Sequence, residues 1–267
     1  MKKIHVITLT MLLCLGLSAP LSAHNLWLNA TDFAPTLSGR AGAHSKIYFG
    51  FGHRFPVQDF LDKEKLREFR LTFPDGSQHD LDAEENGFLA TPVVFKKAGG
   101  YIVSAATQTG FYTMFSDGDG RMHHKMAGMQ GLSNVVLSLY YENYTKALID
   151  VESSNEQAYA TPVGHRIEIV PLENPYLKKA GDTLRLQVLF NGKPAPFCPL
   201  SATYLGFSSK DEYAFSTKTN SRGIAELRLL QPSQWIVLAT LRKPADSDHQ
   251  GQCLELKYTA SLSFSLR

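Results

Sequence analysis

The sequence predicts an all-β chain, built as two β-sandwich domains with one connecting helix. Three observations carry that prediction. Apolar and polar residues alternate with period two from Leu254 to Leu266, the signature of a long strand with one face buried and one wet. Further short alternating runs recur along the chain, punctuated by turn dipeptides such as Asn191-Gly192. The composition, 43% hydrophobic and 19% charged, supplies apolar material for real cores and excludes a disordered chain.

Taken in order, the chain opens with an export leader. Lys2 and Lys3 form its positive start, Val6 to Leu17 its apolar run, and Leu21-Ser22-Ala23 ends in the small residue that a signal peptidase needs. Cleavage is expected after Ala23, because the earlier candidate, after Ala19, would leave Pro20 first. Cys14 follows Leu13, where a lipoprotein signal would have a small residue. With Lys2 and Lys3 removed, 25 basic residues face 25 acidic ones. The mature chain is neutral and has no basic stripe for nucleic acid.

An N-terminal sandwich is expected over residues 24–150. Lys46–Phe51, Phe69–Phe73, Phe88–Phe95 and Tyr101–Thr107 look like strands, with turns at Pro74-Asp75-Gly76-Ser77 and Ala98-Gly99-Gly100. Val135 to Ile149 departs from period two. Val136, Leu139, Tyr140, Asn143, Tyr144, Ala147 and Leu148 fall near helical spacing, so the connecting helix is placed over 135–149. The polar stretch 151–161 reads as a linker. The second sandwich spans 162–267, with strands at Thr183–Phe190, Ala225–Leu229, Trp235–Leu241 and the C-terminal run.

Cys198 and Cys253 are the two cysteines left after cleavage. In an exported chain they can form one disulfide, worth ~4 kcal/mol by chain entropy. The absence of CxxC gives no support to thiol-redox chemistry or a cysteine zinc site.

The expected new N-terminus is the sharpest chemical feature. A first-residue His24 offers its amine and its own Nδ1 to one ion, and one more imidazole completes a T-shaped set of three nitrogens, which suits Ni(II) or Cu(II). His53, in the turn Gly52-His53-Arg54-Phe55-Pro56, is the first candidate for that imidazole. His165, in a second Gly-His dipeptide, is another; parity along His165–Ile169 places it with Ile167 and Ile169, equally consistent with a partly buried structural histidine. Met122-His123-His124-Lys125-Met126, with Met129 nearby, gathers soft and borderline donors and is a candidate capture loop through His123 and His124. Asp117-Gly118-Asp119-Gly120 reads as a turn, lacking the later glutamate of a calcium loop. His44 is a reserve ligand, and His79 and His249 are given no role. GxSxG, Walker A and HExxH are all missing, so the chain is not expected to be an enzyme, copper-dependent oxidation being the alternative.

In these residues the chain resembles a family of exported proteins associated with nickel and cobalt uptake. The matching stretches are Ala23-His24-Asn25-Leu26-Trp27-Leu28, Gly52-His53-Arg54-Phe55-Pro56, Tyr144-Thr145-Lys146-Ala147-Leu148, Gly164 to Pro171, Gly181-Asp182-Thr183-Leu184, Asn191-Gly192-Lys193-Pro194 and Tyr258 to Phe264, in the expected order. The second half is also similar to Ig-like and transthyretin-like or carboxypeptidase-regulatory-like sandwiches, through Gly192-Lys193-Pro194 and Thr219 to Gly223. The resemblance implies a periplasmic protein that binds Ni(II) or Co(II), with His24, His53 and His165 at its histidine motifs, acting beside a membrane metal-uptake transporter. Two alternatives stand beside it: a copper carrier or terminal-histidine copper enzyme, and a metal-free interaction module.

Overall fold

The structure, a computed structural model, describes residues 24–267. The expected leader, residues 1–23 with Cys14, lies outside the described residues. The first half forms β1 (Asn25–Ala30), β2 (Ala43–Gly52), β3 (Leu66–Thr72), β4 (Gln78–Asp80), β5 (Thr91–Phe95), β6 (Gly99–Thr107), β7 (Gly110–Ser116), β8 (Met122–Lys125) and β9 (Val135–Val151). The second half forms β10 (Ile167–Pro171), β11 (Thr183–Phe190), β12 (Lys193–Pro194), β13 (Pro199–Tyr204), β14 (Phe215–Lys218), β15 (Ile224–Arg228), β16 (Ser233–Pro244) and β17 (Glu255–Leu266). The described residues are therefore all-β; their helical content is three short 3-10 turns.

The strands make three sheets. β1-β2-β5 is one. β10-β11-β12 is the second, with β15 added to β11. The third has ten strands and runs β14-β13-β16-β17-β9-β6-β3-β4, with β7 and β8 added beside β9. The two halves share this large sheet through one parallel ladder, Glu255↔Leu139 to Ser263↔Ala147.

Alternation then sorts side chains to two cores on opposite faces. Leu256, Tyr258, Ala260 and Leu262 of β17, with Tyr144 and Leu148 of β9, enter the core under β10, β11 and β15. Ala147, Ile149 and Val151 of β9, with Tyr101, Val103 and Ala105 of β6, enter the core under β1, β2 and β5.

Three expectations are corrected here. The helix over 135–149 is the strand β9. It sits between β17 on one side and β7 and β6 on the other, and most of its length is buried on both faces. A doubly covered strand has no wet face to impose alternation, so its apolar residues fell by chance near helical spacing. The polar face of β17 is also not wet. Thr259, Ser261 and Ser263 are buried. The Ser261 hydroxyl donates to the Leu26 carbonyl at 2.7 Å, and Thr145 Oγ1 accepts from the Leu28 N–H at 3.1 Å. β1 is an edge strand, and these hydroxyls satisfy backbone groups that β2 cannot reach.

The third correction concerns the disulfide. Cys198 and Cys253 are buried free thiols. The ladders Leu200↔Ala239 and Leu241↔Tyr258 put Cys198 level with Tyr258, five positions from Cys253, which lies just before β17. At ~3.3 Å per residue that offset is on the order of 16 Å, beyond the ~7 Å Cα separation that a disulfide allows.

Candidate metal site at the start of β1

The β1–β2 register pairs Asn25 with Gly52, so the residues one step outward, His24 and His53, face each other at the open end of the ladder. Their ring centroids are 5.0 Å apart with planes at 82°. His24 also meets the edge of Phe51, with centroids 4.8 Å apart. With metal–nitrogen bonds of about 2.0–2.1 Å, two cis imidazoles on one ion have centroids on the order of 4.5–5 Å apart, so the pair is spaced for a shared ion.

The turn carrying His53 is held from below. Gln58 Oε1 accepts the N–H groups of His53 and Arg54 at 2.6 and 3.0 Å. The Pro56 carbonyl accepts Trp27 Nε1 at 2.6 Å and Asn29 Nδ2 at 2.9 Å. Trp27 lies flat over its cross-strand partner Gly50, where an added Cβ would stand 1.9 Å from the indole nitrogen. Glycine at 50 is therefore a condition for seating the indole that anchors the loop.

The second half of the chain supplies the far wall. Beside His53 is a cavity of about 10 Å³, lined by Trp27, Phe55, Thr203, Tyr213 and Ile236 among others. That is room for about one water molecule. Burial, reinforced by the charge of His24, holds the His53 imidazole below its ordinary pKa, with Asp211 pulling the other way. A neutral imidazole is the form that binds metal. Burial also lowers Lys257, on the β17 face beneath β1, to about 7, and raises Tyr213 to about 12. Tyr213, Asp211 and Lys257 escaped the sequence reading, since no spacing links residues near 211 and 257 to those near 24 and 53.

A family model described as a domain of unknown function, DUF4198, matches residues 21–243. The chain belongs to the DUF4198 family. That description assigns no activity or metal. No curated protein matches this DUF4198 chain. Among solved structures it is similar to the D0-D1 domain of Intimin, at 13% identity over 90% of this chain and 97% of that one, with a TM-score of 0.22. It is also similar to the D00-D0 domain of Intimin, at 16% identity over 91% and 99%, with a TM-score of 0.20.

The remaining candidate ligands of the DUF4198 chain lie elsewhere. His165 packs on Tyr144, with centroids 4.9 Å apart, and its Nε2 is 3.4 Å from Glu68 Oε1. Tyr144 and the β1-facing Thr145 are neighbours on β9 and point to opposite faces. His165 is thus separated from His24 and His53 by the thickness of the large sheet. His123 and His124 are adjacent on β8, so they too point opposite ways. His123 is bonded to Asp117 at 2.8 Å and stacked on Phe115, while His124 stacks on Tyr112. Asp117 Oδ1 accepts the N–H groups of Asp119 and Arg121, which makes Asp117–Gly120 the expected turn. Among the described residues no three His, Cys, Asp or Glu side chains are grouped to hold a metal. A set that uses the terminal amine needs only two side chains.

Proposed function

We propose that this protein is exported to the periplasm, binds one Ni(II) or Co(II) ion at its processed N-terminus, and passes it to a membrane uptake transporter. The observation that carries this reading is the facing pair His24 and His53, 5.0 Å apart at the residue where cleavage after Ala23 would free an amine. The amine and Nδ1 of His24 hold the ion as a chelate, and His53 closes the set. Gln58 and the Pro56 carbonyl fix the direction from which His53 approaches. The order of motifs shared with uptake-associated proteins supports the transport role. Calorimetric titration of Ni(II) and Co(II) into mature wild-type and His53→Ala protein tests the reading. Binding that is lost in H53A supports it; absence of binding to wild type near neutral pH overturns it.

The cavity beside His53 favours a second reading. A water-sized space next to a three-nitrogen site would give a bound Cu(II) room for a small exogenous ligand, as a copper-dependent oxidative enzyme requires. Redox turnover by copper-loaded protein, against none by nickel-loaded protein, would select it.

A further inference from the structure

On the opposite face of the large sheet is a cleft of about 590 Å³, within the size range of small-molecule sites. It is lined by Arg67, Glu68, Tyr144, His165, Arg166 and Glu168, with the Asn191-Gly192 turn at its rim. Its floor is a fixed polar frame. Lys146 Nζ lies 2.7 Å from Glu168 Oε1, with both side chains at most 2% exposed. Glu168 also accepts the N–H groups of Val163 at 2.6 Å and Gly164 at 3.1 Å. Tyr144 donates to Glu142 at 2.5 Å, and Arg166 bonds the same carboxylate at 2.7 Å.

A buried ion pair is weak evidence for stability, so a frame of this kind calls for another reason. Two lining groups are left under-used. Arg67 lies over the Tyr144 ring, 5.5 Å from its centroid, interacts with the Tyr144 hydroxyl and with the charge of Glu68, and makes no ion pair shorter than 4.0 Å among the described residues. Glu68 is half-buried, and its contacts, to the His165 imidazole at 3.4 Å and Arg70 at 3.7 Å, are long. The lining is balanced, two guanidinium groups against two carboxylates. Glu168 is already paired with Lys146 and Arg166 with Glu142, so a bare anion would meet the open carboxylate of Glu68 and a bare cation the guanidinium of Arg67.

We propose that this cleft binds a small zwitterion of the α-amino-acid class, its carboxylate on Arg67 and Arg166 and its ammonium on Glu68. Guanidinium groups match a carboxylate in planar geometry, and the carboxylate of Glu68 has lone pairs to spare for an ammonium. The site is independent of His24 and His53, from which the sheet separates it.

The test is calorimetry of the mature chain against each proteinogenic L-amino acid at millimolar concentration, followed by the des-amino acid of any that binds. Binding is expected for at least one amino acid. It should weaken about tenfold or more in Arg67→Gln, in Glu68→Gln and on loss of the ligand's amine, and stay unchanged in His24→Ala. Arg67 is exposed, so R67Q should keep the wild-type melting temperature. Absence of binding across the panel overturns the proposal. So does binding that R67Q leaves intact, or a des-amino acid that binds as well as its parent, which would make this a plain anion site.

Discussion

Replacing Gly50 with alanine should damage stability and metal binding together. The new Cβ would stand 1.9 Å from Trp27 Nε1 and 2.4 Å from its Cε2, so the indole must move by more than an ångström. Trp27 is 1% exposed, and the cavity of about 10 Å³ beside it is too small to take an indole. Overpacking of this kind costs about 1–3 kcal/mol. The displaced indole also loses its bond to the Pro56 carbonyl, leaving a buried N–H without a partner, for about 1–3 kcal/mol more. The carbonyl keeps Asn29, so the acceptor side adds little. The expected loss is about 2–6 kcal/mol in urea unfolding, with weaker Ni(II) binding because the loop carrying His53 loses an anchor. Gly118→Ala is the matched control: nothing lies within 4 Å of its Cβ. A G50A protein within ~0.5 kcal/mol of wild type, the scatter of an ordinary surface change, would refute the reasoning.

Three further outcomes follow. Lys146→Met should destabilise by about 3–5 kcal/mol in chemical denaturation, since it strands the buried Glu168 carboxylate, and adding Glu168→Gln should recover most of the loss. With chelator present, His53 should make the folded state more stable as pH rises toward ~6.5 and less stable as it falls below, because its folded pKa is depressed and the unfolded chain binds the extra proton; His53→Gln should flatten that slope in urea midpoints between pH 5 and 7. Native protein should resist thiol reagents, with Cys198 raised by burial to about 11, and two thiols should react on denaturation; none reacting after denaturation would restore the disulfide.

The strands legible in the sequence are those whose apolar and polar residues alternate, with the polar face open to water on β11 and β15 and buried on β17. β11, β15 and the alternating run within β17 stood out, and Asn191-Gly192 ends β11 with both residues at positive φ, as a tight hairpin demands. β9 was not legible because both its faces are covered and, unlike β17, it carries no alternation of apolar and hydroxyl side chains. Its content of Val135, Val136, Tyr140, Tyr141, Tyr144 and Thr145 was the local signal for a strand, outweighed by an accidental spacing. β1 was missed for a similar reason: all six of its residues are buried. At the candidate site, the pairing of His24 with His53 follows from the β1–β2 register, which one short alternating run could not give. The exclusion of His165 depends on which face of β9 Tyr144 takes, a fact of sheet stacking. His123 and His124 look clustered in the sequence and are divided by the pleat once β8 is a strand.

The central claim is that the His24 amine is part of a metal site. The most direct measurement is calorimetric titration of Ni(II) into correctly cleaved protein beside a form with one extra residue before His24. The account predicts tight binding to the cleaved form and its loss in the extended one. Equal binding in both, or none in either, would contradict it.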